Sequence, residues 1–280
     1  MSFTVTILGS NSAISNHGRN PTSQVVTIGN QLFLVDCGEG TQQRMLQYRV
    51  KWFLISHIFI SHLHGDHYFG LIGLLTTYNL LKRTDPLTIF APSMLKEIVE
   101  LQLKASDTTI HYELNFVATD DSDIRMIFEN EKVEIYSFPL IHKIPTTGFL
   151  FKQKQGERKL LIDKLSGFDI DKSDFKSLKK NQNITDKNGN VICAADVTEE
   201  PHAPRSYAFC SDTMYSERIV DFINGADLVY HEATYLNDSA ERAKETKHST
   251  ALQAGTIAQK KKKKKLIIGH FSSRYLELSV

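Results

Sequence analysis

Four side chains able to bind a metal fall within six residues, His62-x-His64-x-Asp66-His67. Imidazole nitrogen and carboxylate oxygen are both good zinc ligands, at about 2.0–2.2 Å. Ile58-Phe59-Ile60 just before the motif reads as a buried strand, and Tyr68–Leu81 after it has helical apolar spacing. A helix starting at Asp66 or His67 would splay those two side chains away from His62 and His64. One loop could then serve two ions with a pair of ligands each. A run of surface histidines is the plain alternative, and it accounts for a lone histidine better than for this spacing.

Each ion needs further ligands, and candidates stand just past other strand-like segments. His142 follows Ile135–Ile141, Asp212 follows Tyr207–Ser211, and His270 follows Leu266–Gly269. Taken singly, His142 or His270 could equally be a hydrogen-bonded core histidine. Two dications close together need an anion between them, and Asp212 suits that bridging position. Water held there would ionise near pH ~7 and supply a nucleophile. Asp36, at the end of its own strand, fits the task of orienting a ligand histidine, and a helix or turn cap fits it nearly as well.

Positioning these groups requires a scaffold that delivers strand ends to one place. Strand patterns cover Thr4–Leu8, Gln24–Ile28, Leu32–Val35, Ile58–Ile60, Leu87–Phe90, Leu114–Val117, Val133–Phe138, Thr147–Phe151 and Lys159–Ile162. Further strands are expected at Tyr207–Cys210, Leu228–His231 and Leu266–Ile268. Helical spacing marks Gly40–Tyr48, Tyr68–Leu81, Ser93–Leu103, Glu217–Ile223 and Ser249–Gln259. This mixture predicts an α/β fold with two mixed sheets packed face to face, helices outside and chemistry at the strand ends. A single domain over residues 1–280 is expected, with a polar, lysine-rich excursion at about 164–190.

Composition narrows the class. The 33 Lys and Arg nearly balance 32 Asp and Glu, so any nucleic-acid contact must come from local patches. Cys37, Cys193 and Cys210 are widely spaced, odd in number and form no CxxC pair, which suits a reducing compartment. The start, MSFTVTILGS, reads as a strand running into a glycine turn, and no apolar run approaches the ~20 residues of a membrane helix. A cytoplasmic protein without membrane partners is expected.

The motif, the later lone His142, Asp212 and the final His270 resemble the metallo-β-lactamase superfamily. Four further stretches resemble the short form of the ribonuclease Z family: Phe33–Gln42 (FLVDCGEGTQ), His231-Glu232-Ala233-Thr234, Lys247-His248-Ser249-Thr250, and Gly269–Tyr275 (GHFSSRY). The likeness runs from the first strand to about Tyr275. It implies a four-layer αβ/βα sandwich and two Zn2+ per chain. His62, His64 and His142 would hold one ion, Asp66, His67 and His270 the other, with Asp212 between them. It further implies a precursor tRNA substrate, a homodimer, and cleavage assisted by Glu232 and His248, with Asp66 shaping the nucleophile's hydrogen bonding. A histidine oriented by a carboxylate is a sound acid for a departing 3′ oxygen. A structural salt bridge for Glu232 and a helix cap for His248 are the plain alternatives. Arg274 and Ser272 would meet substrate, Arg274 by gripping a phosphate. Arg19 and Asn20 fall in the loop where the family meets the RNA 3′ end, although a polar loop there needs no function.

The sequence departs from the family in three places. The stretch Leu165–Lys172 lacks the glycine- and proline-rich signature of the arm that clamps the tRNA elbow in bacterial relatives. Lys172, Lys176, Lys179, Lys180 and Lys187 could touch phosphates, but a solvated charged face is the commoner use of such residues. The run Lys260–Lys265 carries no functional assignment, although lysines suit a helix C-terminus. Relatives also continue past Tyr275 into a final helix, for which little sequence remains here. Other two-zinc hydrolases on the same fold compete, namely a small-substrate phosphodiesterase or a thioester or lactone hydrolase. A catalytically silent RNA-binding relative is the remaining alternative. The HEAT and HST stretches and Arg274 argue against the ester hydrolases, and the full ligand set argues against the silent relative.

Overall fold

The computed structural model describes residues 2–260 and 265–276, so Lys261–Lys264 of the lysine run lie outside the described residues. Strands β1 (Phe3–Gly9), β2 (Ser23–Ile28), β3 (Gln31–Cys37), β4 (Ile55–Phe59), β5 (Leu87–Ala91) and β6 (Leu114–Ala118) form one sheet in chain order. The first three are antiparallel and the last four parallel. Next come β7 (Arg125–Glu129), β8 (Val133–Pro139) and β9 (Thr147–Gln153). Four short strands follow: β10 (Lys159–Leu160), β11 (Ile184–Thr185), β12 (Val191–Ile192) and β13 (Thr198–Glu199). The chain then returns with β14 (Ser206–Cys210), β15 (Leu228–Glu232) and β16 (Lys265–Gly269). These build the second sheet in the order β16-β15-β14-β9-β8-β7. β14, β15 and β16 run parallel, and β9 lies antiparallel to β14.

Alternation along the strands creates the layers, because successive side chains of a strand point to opposite faces. Phe33 and Val35 of β3 and Phe59 of β4 meet Phe149 and Phe151 of β9 and Tyr207 and Phe209 of β14 in a core between the sheets. Phe59 stacks on Phe90 at 4.8 Å and meets Phe149 edge-on at 5.4 Å. The intervening residues face outward into helices. Leu34 and Ile58 pack with Met45, Leu71, Leu75 and Leu95, while Ala208, Cys210 and Val229 pack with Ile219, Val220 and Ile257. The outcome is the expected four-layer sandwich. Where parallel strands end together, their carboxyl ends open a crevice, and the candidate ligands stand there.

Residues Gln153–Pro204 form a compact unit of their own. Leu165, Leu178, Ile192, Ala194 and Val197 give it a small core. β10 pairs with β13 and β11 with β12, both antiparallel. The excursion expected at 164–190 lies inside this unit, and the strand expected over 159–162 stops at Leu160, where helix Ile162–Leu165 begins. Helix Lys172–Lys179 begins at Asp171, whose backbone N–H donates to Asp174 Oδ2 at 2.9 Å. Its lysines are solvated, and Lys187 pairs with Asp171 at 2.8 Å.

Candidate metal centre and its catalytic flank

The HxHxDH loop leaves β4 and turns into helix Gly65–Tyr68, so Asp66 and His67 do project from a helical turn, as the spacing predicts. Gly38 lets the end of β3 approach closely, since a Cβ there would lie 2.4 Å from the Asp66 carbonyl oxygen. His62 Nε2 and His64 Nδ1 are 3.0 Å apart, and His142 Nε2 is 3.2 Å from the same His64 nitrogen. Asp212 Oδ2 completes the group at 3.6 Å from His62 and 3.7 Å from His142. Ligands at 2.0–2.2 Å around a tetrahedral ion stand roughly 3.3–3.6 Å from one another. The group has the dimensions of a metal cage.

A second group adjoins it. Asp66 Oδ2 lies 3.6 Å from His67 Nε2 and 3.2 Å from His270 Nε2. Asp212 Oδ1 lies 3.4 Å from His67 Nε2 and 3.2 Å from His270 Nε2. One carboxylate therefore offers an oxygen to each group. His67 Nε2 and Asp212 Oδ1 are both buried without a hydrogen-bond partner. Orphaned buried polar atoms are costly, and two of them aimed at one point fit a cation. All seven side chains named as ligands converge, and the site is a metal-binding one.

Surrounding hydrogen bonds fix which nitrogen each ring presents. His142 Nδ1–H donates to the Lys247 carbonyl oxygen at 2.9 Å, so its Nε2 is bare. The left-handed backbone of Lys247, φ 57°, aims that carbonyl. His67 Nδ1–H donates to Asp36 Oδ2 at 2.7 Å. Asp36 also accepts Ser61 N–H at 2.8 Å and Ser61 Oγ–H at 2.9 Å. Ser61 Oγ has then given its proton away, so it accepts from His62 Nδ1–H at 3.0 Å. Asp36 thus orients ligand histidines rather than capping a helix. It adopts a left-handed φ of 54°, and His270 one of 61°. Such backbone costs about 1–3 kcal/mol per residue, and it persists where the surroundings over-determine it.

On the other flank, fully buried Glu232 accepts His248 Nδ1–H at 2.9 Å through Oε1. Thr213 N–H donates to the same oxygen at 3.0 Å, while Thr234 N–H (3.0 Å) and Thr234 Oγ1–H (2.8 Å) donate to Oε2. Burial raises the Glu232 pKa, but His248 outweighs it and keeps the carboxyl below its ordinary value. Burial likewise opposes charge on His248, yet Glu232, then Asp212 and Asp66, raise it to about 9. Asp212 is held far below the carboxylate range, burial being outweighed by His270 and His67. Burial and its histidine neighbours push His62 down, leaving its nitrogen bare at neutral pH. His67 goes the other way: Asp212, Asp36 and Asp66 overcome burial and raise it well above 6.5.

An open cleft lined by His64, Asp66, Asp212, His248 and His270 gives access, with Tyr235 and Ser272 on its wall. Arg274 stacks over the Tyr235 ring at 5.0 Å, and its Nε–H donates to Ser272 Oγ at 3.1 Å. Arg19 and Asn20 do not line this cleft. Arg19 donates to Asn11 Oδ1 at 3.1 Å and to the Tyr275 carbonyl at 2.6 Å, and Asn20 Oδ1 accepts from Arg44 at 3.0 Å. Sequence reasoning gave no role to Ser61 or Thr234. The signal available was a hydroxyl beside His62 and one two residues past Glu232, just beyond the end of β15.

The chain matches known proteins along nearly its whole length. Residues 3–279 match the family model described as Anti-Pycsar protein Apyc1. A protein of Cytophaga hutchinsonii named ribonuclease Z is 43% identical over 278 residues, covering 99% of this chain and 88% of that one. The ribonuclease Z of Parabacteroides distasonis is 39% identical over 277 residues, covering 99% and 91%. Human tRNase Z, short form, superposes with a TM-score of 0.70 at 27% identity, over 98% of this chain and 94% of that one. A metallo-beta-lactamase fold protein from Bacillus subtilis superposes at 0.65 with 17% identity, over 97% and 88%. Sandwich and metal site together define a metallo-β-lactamase-fold metalloprotein. The chain belongs to the ribonuclease Z family, and its length also falls within the family described as Anti-Pycsar protein Apyc1.

Protons and metal compete for the same imidazole and carboxylate atoms, so metal affinity should weaken as pH falls. Titration of metal-free protein with Zn2+ at neutral and at mildly acidic pH should show weaker binding in acid. Equal affinity at both would contradict the assignment. Asp212→Ala should abolish tight binding in the same titration.

Proposed function

We propose that this chain is a zinc-dependent endoribonuclease that removes the 3′ trailer of precursor tRNA and leaves a 3′-hydroxyl. The observation that carries this function is the Glu232–His248 pair, 2.9 Å apart, standing beside two ligand groups that share Asp212. Relatives named ribonuclease Z at 39–43% identity and the human tRNase Z fold support it. His62, His64 and His142 would hold one zinc, Asp66, His67 and His270 the other, with Asp212 between. Bound zinc would supply electrophilic contacts to phosphate oxygens and an acidified water as nucleophile.

The chain's own groups do the rest. Asp66 faces the cleft and can accept a hydrogen bond from the attacking water. Water oxygen bonds to phosphorus, the bond to the ribose 3′ oxygen breaks, and the phosphate stays on the trailer. His248, kept protonated at neutral pH by Glu232, delivers its proton to that 3′ oxygen. Arg274, braced on Tyr235, keeps its terminal guanidinium nitrogens for a phosphate, with Ser272 beside it. Arg19 and Asn20 would act by shaping the loop beside the RNA 3′ end rather than by touching RNA. Purified protein with a 3′-extended precursor tRNA should cut after the discriminator base, sensitive to chelator. His248→Ala should retain zinc and slow the cut by about 10²–10⁴-fold. Hydrolysis of an aryl phosphodiester with the tRNA left intact would move the function to small phosphodiesters. Loss of zinc in His248→Ala would remove its role as acid.

The protein is further proposed to work as a cytoplasmic homodimer. Three free thiols support the reducing compartment. Exposed Leu46, Tyr48, Phe53, Leu54, Leu80 and Leu81 support the dimer. They flank turns tied together by Tyr78 Oη–H to the Trp52 carbonyl at 2.6 Å, and clustered apolar surface commonly marks an interface. Sedimentation equilibrium should give about twice the chain mass of 31.8 kDa, and a species at the chain mass alone would contradict it.

A further inference from the structure

The hydroxyl of Thr234 stands within reach of three groups at once. It lies 2.8 Å from Glu232 Oε2, 2.8 Å from His270 Nδ1 and 3.2 Å from His248 Nδ1. A hydroxyl has one proton to give. Oε2 accepts Thr234 N–H at 3.0 Å, and the Thr234 hydroxyl proton goes to the same oxygen at 2.8 Å. His248 Nδ1–H is committed to Oε1 of the same carboxylate at 2.9 Å. The remaining neighbour, His270 Nδ1, must therefore be the donor to Thr234 Oγ1. That choice leaves His270 Nε2 bare, pointing at Asp66 Oδ2 and Asp212 Oδ1, each 3.2 Å away.

We propose that Thr234 is a positioning residue that ties the general acid to the metal centre through a chain running His270 Nδ1–H, Thr234 Oγ1–H, Glu232 Oε2. One small side chain then sets two things together: the tautomer with which His270 meets its metal, and the orientation of the carboxylate that holds His248. The opposite flank is built alike. There Asp36 takes His67 directly and His62 through Ser61 Oγ, as Glu232 takes His248 directly and His270 through Thr234. Hydrogen bonds to ligand imidazoles of this kind are typically worth 10–100-fold in metal affinity or activity. Thr234 is buried at 4% exposure at the edge of the cleft, which leaves its hydroxyl facing protein groups. Thr234 N–H still reaches Oε2 in any side-chain variant, so the carboxylate is loosened rather than released.

The first part of the proposal concerns metal and tautomer and stands whatever the substrate. The second, concerning cleavage, rests on the ribonuclease reading above. The test compares wild type, Thr234→Val and Thr234→Ser as full-length zinc-loaded chains. Nitrogen-15 NMR of the zinc-loaded wild type should find His270 protonated at Nδ1; a bare Nδ1 there would overturn the proposal without any variant. Thr234→Val, nearly isosteric, should bind Zn2+ about 10–100-fold more weakly in competition with a chromophoric chelator. Its kcat on precursor tRNA should fall by a similar factor with KM unchanged, measured at saturating zinc. Thr234→Ser should restore both. Wild-type zinc affinity in Thr234→Val, or failure of the serine to restore it, would overturn the proposal. If zinc affinity falls while no variant, wild type included, cuts tRNA, the tautomer role stands and the ribonuclease reading fails.

Discussion

Asp212 faces histidine nitrogens from two groups at once, one carboxylate oxygen towards each. His62 Nε2, His64 Nδ1 and His142 Nε2 lie 3.0–3.2 Å apart in series, lone pairs inward. Such an arrangement repels itself unless a cation sits among the nitrogens, and His62 and His142 are held there by burial and by hydrogen bonds on the far side of the ring. The carboxylate of Asp212 reaches into this group with one oxygen and into the His67–His270 group with the other. Two neighbouring dications need an anion between them, and this is the side chain that can supply it. The left-handed backbone at Asp36 and His270 and the close packing at Gly38 help hold these side chains around that carboxylate.

The sandwich explains why the ligands can come from so far apart in the chain. β3 and β4 end beside each other in one sheet, and β14, β15 and β16 end beside each other in the second. Each set of strand ends contributes one fully buried carboxylate, Asp36 from the first and Glu232 from the second. Each carboxylate then fixes histidines on its own side, while Asp212 joins the two sides. The candidate ligands and the proposed general acid are thereby parts of one hydrogen-bonded frame. Beneath it Phe59, stacked on Phe90 of its own sheet, meets Phe149 of the second sheet edge-on.

Much of this was legible because local spacing carries it. HxHxDH places four ligands by sequence alone, and the strand-end positions of His142, Asp212 and His270 follow from apolar runs that stop just before them. What escaped depends on contacts between distant segments. β7, with the short apolar run Met126-Ile127-Phe128 among charged residues, is made a strand by pairing with β8. Helix Ala240–Thr246 has too few apolar residues to announce itself, yet its left-handed end at Lys247 aims the carbonyl that orients His142. The excursion read as polar and lysine-rich because its core of five small and medium apolar residues is spread thinly over Gln153–Pro204. Arg19 read as part of the loop that meets the RNA 3′ end, but its guanidinium bonds the carbonyl of Tyr275 across 256 residues of sequence. The hydroxyl partners Ser61 and Thr234 were beyond reach because their value lies in which proton they have left to give.

The central claim is that one carboxylate serves two metal ions. Diffraction at the zinc absorption edge from crystals of the zinc-loaded protein measures this directly. Two anomalous peaks about 3.5–4 Å apart, one touching Asp212 Oδ2 among His62, His64 and His142 and one touching Oδ1 among Asp66, His67 and His270, are the predicted result. A single peak at full zinc loading, or two peaks with both Asp212 oxygens on the same ion, would contradict it.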